Sequence, residues 1–213
     1  MVRNFIDLFC GAGGMSLGFE RAGFKCVGAI DISKACVDTH KINFPDCVSI
    51  NVDISKIKPK GFEKKISNKK IDLIIGGPPC QPFSVSGNQK GKFDERDGFP
   101  VFLQALKQLK PKVFLVENVR GTLFRNKSYI NKIINEFINL NYKIDIKVLN
   151  SYDFGVAQKR ERLFIIGSNK KIQIPLSMNI NKISSGYAIK DLINKKSKNH
   201  KFLNKSMDEY IAR

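Results

Sequence analysis

The sequence predicts an α/β fold, a doubly wound and mostly parallel sheet with an antiparallel pair at one edge. Three observations carry this. Short apolar runs alternate with segments of helical spacing over roughly the first 140 residues. A glycine-rich turn joins the first run to the first helix, as in ligand-binding α/β sheets. The last two apolar runs, Lys143 to Leu149 and Leu163 to Gly167, follow one another with no helical segment between them.

Asn4 to Phe9 reads as the first strand, and Met15, Leu17, Phe19 and Ala22 mark a helix that Gly23 stops. Lys25 to Ile30 reads as a second strand, and Ser33 caps a helix running to about Asn43. Cys47 to Val52 makes a third strand closing on Asp53, and Lys56 to Lys70 a charged surface excursion. Ile71 to Ile75 is the fourth strand. Gly76 to Gly98 has too little periodicity for an element and reads as a functional loop. Pro100 to Lys110 is a helix and Val113 to Val116 the fifth strand. Tyr129 to Leu140 is an amphipathic helix with Ile130, Ile133, Ile134, Phe137 and Ile138 on one side. Beyond Ser168 the chain turns rich in Lys, Asn and Ser, with only Tyr187 to Ile193 looking structured. The expected division is therefore a domain over 1–167 and a linker or the start of a further region over 168–213.

The 213 residues suffice for one substantial core. Lys and Arg number 37 against 19 Asp and Glu, a net charge of +18, which points to a polyanion such as nucleic acid. Compositional drift toward Lys, Asn and Ile explains the same excess, so charge alone does not decide. The five cysteines have no zinc-ligand spacing, no metal is expected, and an odd count suits a reducing compartment. With no leader-like start and no apolar run of about eighteen residues, the expectation is a soluble cytoplasmic protein.

Chemistry concentrates at strand ends. Gly76-Gly77-Pro78-Pro79-Cys80-Gln81-Pro82-Phe83-Ser84 holds one thiol on a turn that prolines stiffen and glycines keep open. Phe9-Cys10-Gly11-Ala12-Gly13-Gly14 turns backbone N–H groups toward a ligand, though it is not the full dinucleotide fingerprint. Asp31 and Asp53 at successive strand ends can accept hydrogen bonds from a ribose and an adenine amine. Either alone reads as a turn or cap residue; together they imply an adenosine-containing ligand. Glu117 in Glu117-Asn118-Val119 ends the strand beside the one that delivers Cys80. Arg160 and Arg162, two residues apart, would share one side of a strand.

Taken in order and spacing, Asp7 to Gly14, Gly77 to Ser84, Glu117 to Val119 and Gln158-x-Arg160-x-Arg162 resemble the motifs of cytosine-5 DNA methyltransferases. The resemblance covers Asn4 to Gly167, and Tyr187 to Leu192 resembles the segment preceding that family's target-recognition region. It implies a Rossmann-like methyltransferase sheet and a DNA (cytosine-5-)-methyltransferase of restriction-modification type, with S-adenosylmethionine as methyl donor. It implies that Phe9, Gly11, Gly13, Gly14, Asp31, Ile32, Asp53, Ile54, Pro79 and Phe99 hold the cofactor. Cys80 would be the nucleophile on a flipped cytosine, Glu117 would stabilise the protonated ring nitrogen, Arg162 would bind the base carbonyl and Arg160 would support the site. Gln81, Ser84, Ser86, Lys90, Lys92 and Arg96 match a loop that closes on DNA.

The pattern departs from the family at Ala157, where proline is commoner, and in the absence of a recognition region and carboxy-terminal motifs. The expectation is an amino-terminal catalytic portion with little sequence-specific methylation of its own: a split subunit, a truncation or an engineered piece. DNA is the expected partner, with a carboxy-terminal subunit carrying the recognition region beside it. Two alternatives stay open, the same chemistry on tRNA and a non-catalytic binding module of the same fold.

Overall fold

Parallel strands buried on both faces need near-continuous apolar runs, and the first half of the chain supplies them. The computed structural model describes residues 3–57, 69–79, 98–125, 127–178 and 180–192. Among these, β1 (Arg3–Leu8), β2 (Phe24–Asp31), β3 (Val48–Asn51), β4 (Leu73–Gly76), β5 (Val113–Val119), β6 (Lys143–Asn150) and β7 (Glu161–Ser168) form one sheet in the order β3-β2-β1-β4-β5-β7-β6. The pairs β1–β2, β1–β4, β2–β3 and β4–β5 are parallel; β5–β7 and β6–β7 are antiparallel. The strand order reverses between β1 and β4, which opens a crevice at the carboxyl ends of those strands.

Alternate side chains of β1 feed two cores. Ile6 and Leu8 join Phe99, Phe102, Phe114 and Phe137 on one face, while Phe5 joins Cys26, Ala29, Phe44 and Ile75 on the other. Helices α1 (Gly14–Arg21) and α2 (Lys34–Asn43) pack over β2 and β3, with Phe19 of α1 against Phe5. Ser33 caps α2, its side chain accepting from the Cys36 amide. Helix α3 (Phe99–Leu109) carries an apolar stripe of Phe102, Leu103, Ala105 and Leu106, all buried. A short α4 (Gly121–Arg125) precedes α5 (Lys127–Asn139), which buries Ile130, Ile133 and Phe137.

Phe114 centres the larger core, with ring centroids 4.5 Å from Phe137, 4.9 Å from Tyr142 and 5.9 Å from Phe102. Such pairs add about 0.5–1.5 kcal/mol each beyond the area they bury. The Tyr142 hydroxyl donates to the Pro111 carbonyl at 2.7 Å, and burial pushes its pKa up to about 12. Gly167 on β7 makes room for this cluster: a Cβ there would lie 2.1 Å from the Phe114 ring.

Differences from the expected elements fall where pairing, not propensity, sets the boundary. Strand β5 runs on past Val116 to Val119 because Glu117, Asn118 and Val119 pair with Phe164, Leu163 and Arg162. The tail forms α6 (Ser185–Ile189) and a 3₁₀ turn over Lys190–Leu192. It folds back through the Ile174 amide, which donates to Asp145 Oδ2 at 2.8 Å, and the Met178 amide, which donates to the Asp153 carbonyl. No described helix is long and apolar enough to cross a membrane.

Candidate active site

After β1 the chain reverses through three left-handed residues, Phe9 (φ 65°), Gly11 (φ 54°) and Gly13 (φ 96°). Phe9 pays about 1–2 kcal/mol for that conformation, strain of the kind found at ligand sites. The turn is tied to β2: the Cys10 amide donates to the Ile30 carbonyl at 3.0 Å, and the Gly11 amide to Asp31 Oδ2 at 2.9 Å. Asp31 Oδ1 accepts from the Ser33 amide at 2.8 Å. Asp31 thus shapes the turn and leaves each oxygen one further lone pair.

Beside this turn lies a hollow of about 920 Å³ at the carboxyl ends of β1 to β4, bordered by Phe9, Asp31, Ile32, Asp53, Ile54 and Pro79. Gly77, Gly98 and Val101 complete its far wall. Ile32 is 70 % exposed there, a large apolar side chain left to solvent at the wall of a cavity. Asp53 caps the 3₁₀ turn over Ile54–Lys56. Its Oδ1 accepts from the Ser55 amide and hydroxyl, which hold the carboxyl below its ordinary value, and Lys56 stands 3.8 Å from Oδ2.

On the other side of Gly77 stands an ion pair. Arg162 Nε lies 3.1 Å from Glu117 Oε1, each side chain about one quarter exposed. The register explains it: Val119 faces Arg162 across β5–β7, so Glu117, two residues along, lies diagonally on the same face. A Cβ built at Gly77 would sit 3.5 Å from Glu117 Oε2, so the carboxylate overlooks the start of the 77–79 turn.

That turn is anchored at both ends. Asn118, buried between Glu117 and Val119, donates from Nδ2 to the Pro78 carbonyl at 3.0 Å, while its Oδ1 accepts from the Thr122 hydroxyl and the Val119 amide. The Gly98 amide donates to the Pro79 carbonyl at 3.3 Å. A Cβ on Gly98 would lie 2.7 Å from Pro79 Cδ and 2.9 Å from the Phe9 ring, so only glycine lets the two ends meet. Cys80 follows Pro79 directly; it and Gln81, Ser84, Ser86, Lys90, Lys92 and Arg96 lie outside the described residues.

A family model for C-5 cytosine-specific DNA methylases matches residues 3–212. The chain belongs to that family. The Type II methyltransferase M.AplI of Arthrospira platensis is 41 % identical over 210 residues, 98 % of this chain and 58 % of the relative. M1.HphI of Haemophilus parahaemolyticus is 40 % identical over 78 % of this chain and 46 % of its own length. M.AquIA of a Picosynechococcus species is 38 % identical over 82 % and 76 %. The chain thus spans about half the length of the first two relatives. An E. coli prophage protein named as a DNA modification methyltransferase superposes with a TM-score of 0.72 at 34 % identity, over 88 % of this chain and 54 % of that one. A DNMT2 mutant of Spodoptera frugiperda gives 0.65 at 27 %, over 84 % and 54 %.

Within this methylase fold the expected cofactor residues divide by what they touch. Phe9, Asp31, Ile32, Asp53, Ile54 and Pro79 border the hollow. Gly13 instead meets the core, where a Cβ would lie 2.2 Å from the Phe44 ring. Gly11 and Gly14 have open space around them. Phe99 opens α3 fully buried, its ring 6.2 Å from that of Tyr129, while its neighbours Gly98 and Val101 border the hollow. Arg160 lies just before β7, which begins at Glu161; its amide donates to Asn150 Oδ1 and the residue is exposed.

Beneath the turn runs a buried polar chain that sequence reading missed. The Ser16 hydroxyl donates to Asp7 Oδ2 at 2.7 Å and lies 3.2 Å from His40 Nε2, while His40 Nδ1 is 2.8 Å from the Ser49 hydroxyl. Asp7 Oδ1 is buried without a hydrogen-bond partner, and burial raises the Asp7 pKa to about 7. Nearby, Cys26 and Cys47 lie 2.9 Å apart, sulfur to sulfur, both buried. Burial foremost pushes the Cys10 thiol up; the Cys47 contact foremost pushes Cys26 up. The Cys10 and Cys26 thiols are held neutral, which suits packing and not nucleophilic attack. Only a position far apart in sequence, such as Asp7 against Ser16 and His40, could have signalled this network.

Proposed function

We propose that the chain carries the catalytic portion of a DNA (cytosine-5-)-methyltransferase of restriction-modification type, acting in the cytoplasm on duplex DNA. The observation that carries it is the Glu117–Arg162 pair, aimed at the turn that leads into Cys80 and separated by Gly77 from a hollow large enough for a nucleoside. At about 920 Å³ the hollow falls within the usual range for small-molecule sites, about 300–1,000 Å³. Its donor set fits S-adenosylmethionine. Phe9, Ile32 and Ile54 offer apolar walls for a purine, Asp31 has lone pairs for ribose hydroxyls, and Asp53 Oδ2 can accept from an amine. Gly11, Gly13 and Gly14 shape the turn that Asp31 anchors. Bound there, S-adenosylmethionine supplies an electrophilic methyl group.

The remaining work falls to side chains. A target base cannot be reached inside a duplex and must be extruded at a cost of a few kcal/mol. Cys80, as thiolate, adds to carbon 6 of the cytosine, forming an S–C bond and moving the ring electrons toward carbon 5. A thiol is suited to this, with a free pKa of about 8.5 and high intrinsic nucleophilicity. Glu117 holds the proton at ring nitrogen 3 as charge develops there, and Arg162 donates to the base carbonyl while fixing the Glu117 carboxylate. After methylation a base removes the carbon 5 proton, and the returning electrons expel the Cys80 sulfur. Asn118 keeps the Cys80 turn in place through Pro78. Gln81, Ser84, Ser86, Lys90, Lys92 and Arg96 contact the DNA backbone, and a partner carrying the recognition region supplies sequence selectivity. Arg160 supports the base site from outside it.

The test is covalent trapping. The chain is incubated with S-adenosylmethionine and duplex carrying 5-fluorocytosine, which blocks the final proton loss. The parent chain should give an adduct stable on a denaturing gel, and Cys80→Ser none. A parent chain that binds both S-adenosylmethionine and DNA yet forms no adduct would overturn the reading. An adduct on tRNA in preference to DNA would replace the substrate.

A further inference from the structure

Near the candidate site, at the carboxyl edge, Lys56 is matched with Asp53, Arg120 with Glu161 and Arg162 with Glu117, though Lys159 and Arg160 have no acid partner among the described residues. At the amino edge Lys112 is matched with Asp72, and six further lysines are not matched. Lys25 lies at the start of β2, Lys70 just before β4, Lys110 just before β5, Lys143 at the start of β6, and Lys170 and Lys171 just past the end of β7. None of these six forms an ion pair with a described carboxylate, and all but the half-buried Lys25 are exposed.

Topology makes these lysines one row. Lys25 is level with Asn4 on β1; the Asn4 side chain donates to the Lys70 carbonyl; Lys112 donates its amide to the Asp72 carbonyl and accepts from the Asn169 amide; Lys143 is level with Ser168. Apart from Asp46, which borders a hollow with Lys25, the acids here have other partners. Asp72 pairs with Lys112 at 3.3 Å, Glu20 accepts from the Cys26 amide, and Asp145 is held by the Ile174 amide and Lys147. At the β6 end the row opens into a hollow of about 410 Å³ that Lys143, Lys147 and Lys171 border.

We propose that this amino edge is a second surface for duplex DNA, recognising the phosphate backbone without regard to sequence and facing away from the catalytic crevice. Six strands spaced about 4.8 Å apart set a row about 24 Å long. Over that length a duplex presents about 14 phosphates, one per about 1.7 Å of axis, a line of charge that matches a line of lysines. A membrane would want a cluster of apolar side chains to insert, and the exposed large apolar residues near the row, Val48, Ile138, Ile172 and Leu176, are spread over β3, α5 and the segment after β7. A second hold on the polymer would keep the protein on a DNA molecule while the crevice samples bases.

The experiment measures binding of the full chain to a 20-base-pair duplex of A·T pairs only, by fluorescence anisotropy across a series of KCl concentrations. A duplex without cytosine makes the result independent of the catalytic reading, which the trapping experiment tests separately. One variant replaces Lys25, Lys70, Lys143 and Lys171 with Gln; the control replaces Lys41, Lys127, Lys132 and Lys190, lowering the charge equally. The rim variant should lose more than tenfold in affinity at low salt, and its log K against log salt slope should fall by about 3, near 0.9 per phosphate contact removed. The control slope should fall by less than about 1, and S-adenosylmethionine affinity should be unchanged in both. Equal losses in both variants would reduce the effect to overall charge and overturn the proposal, as would an unchanged rim variant. Loss of binding to phosphatidylserine vesicles with duplex binding intact would assign the row to a membrane and overturn it as well.

Discussion

Glu117 and Arg162 stand 45 residues apart in the chain and meet at 3.1 Å, because the antiparallel register of β5 and β7 sets Arg162 diagonally across from Glu117. A partly exposed pair of this kind contributes at most about 1 kcal/mol to stability. Its value lies in holding one carboxylate in place.

Glu117→Gln and Arg162→Ala should therefore each lower the single-turnover methylation rate by about 10²- to 10³-fold, the scale for losing a positioned acid or charge stabiliser. Thermal melts should move by only a few degrees. Arg162→Lys should recover little, since a point charge cannot reproduce the guanidinium fork. A wild-type rate in either variant would remove the pair from the mechanism.

Asn118 makes three described hydrogen bonds from a buried position. Asn118→Ala removes the donor to the Pro78 carbonyl and one acceptor from the Thr122 hydroxyl, and should cost about 1–3 kcal/mol in urea denaturation. The rate of adduct formation should fall much further than S-adenosylmethionine affinity, because the Asn118 bond holds the 77–79 turn that precedes Cys80. Equal losses in both readouts would mean a general loosening of the fold.

Gly11 and Gly13 both have positive φ but stand in different surroundings. Gly11→Ala should cost about 1–2 kcal/mol, the backbone penalty alone, because no atom lies within 4 Å of the added methyl. Gly13→Ala adds a clash with the Phe44 and His40 rings and should cost more, by roughly 1–3 kcal/mol of overpacking. Denaturation midpoints compared side by side decide it.

Asp7 gives the fold a pH signature. Its carboxyl rises from 3.8 unfolded to about 7 folded, chiefly through burial. Between those values the folded state binds the extra proton, so stability is greatest below about pH 4 for this group and falls as pH rises through 7. The loss is on the order of a few kcal/mol. Asp7→Asn should flatten the pH dependence of the urea midpoint across that window; an unchanged slope would show that another group sets it.

Much of the molecule was legible because its signals are local. Phe102, Leu103, Ala105 and Leu106 advertise one face of a helix, Ser33 a cap, and Phe9 to Gly14 a turn at a strand end. The placements that the sequence did not show are those whose neighbours arrive from elsewhere. Arg160 and Arg162 look equivalent in sequence, yet β7 starts between them, where pairing with Asn150 begins. Phe99 looks like a wall residue, but the first turn of α3 rotates it inward against Tyr129.

The sequence by itself determined the strand and helix alternation, the family, and the types of group that do the chemistry, since hydrophobic period, glycine and proline positions and motif order are properties of neighbouring residues. Only the tertiary structure decided that Asn118 holds Pro78, that Asp7 is buried with Ser16 and His40, and that six lysines from five strands form one row. Those relationships depend on strand order and register, and these are settled by how the two faces of the sheet bury their side chains together.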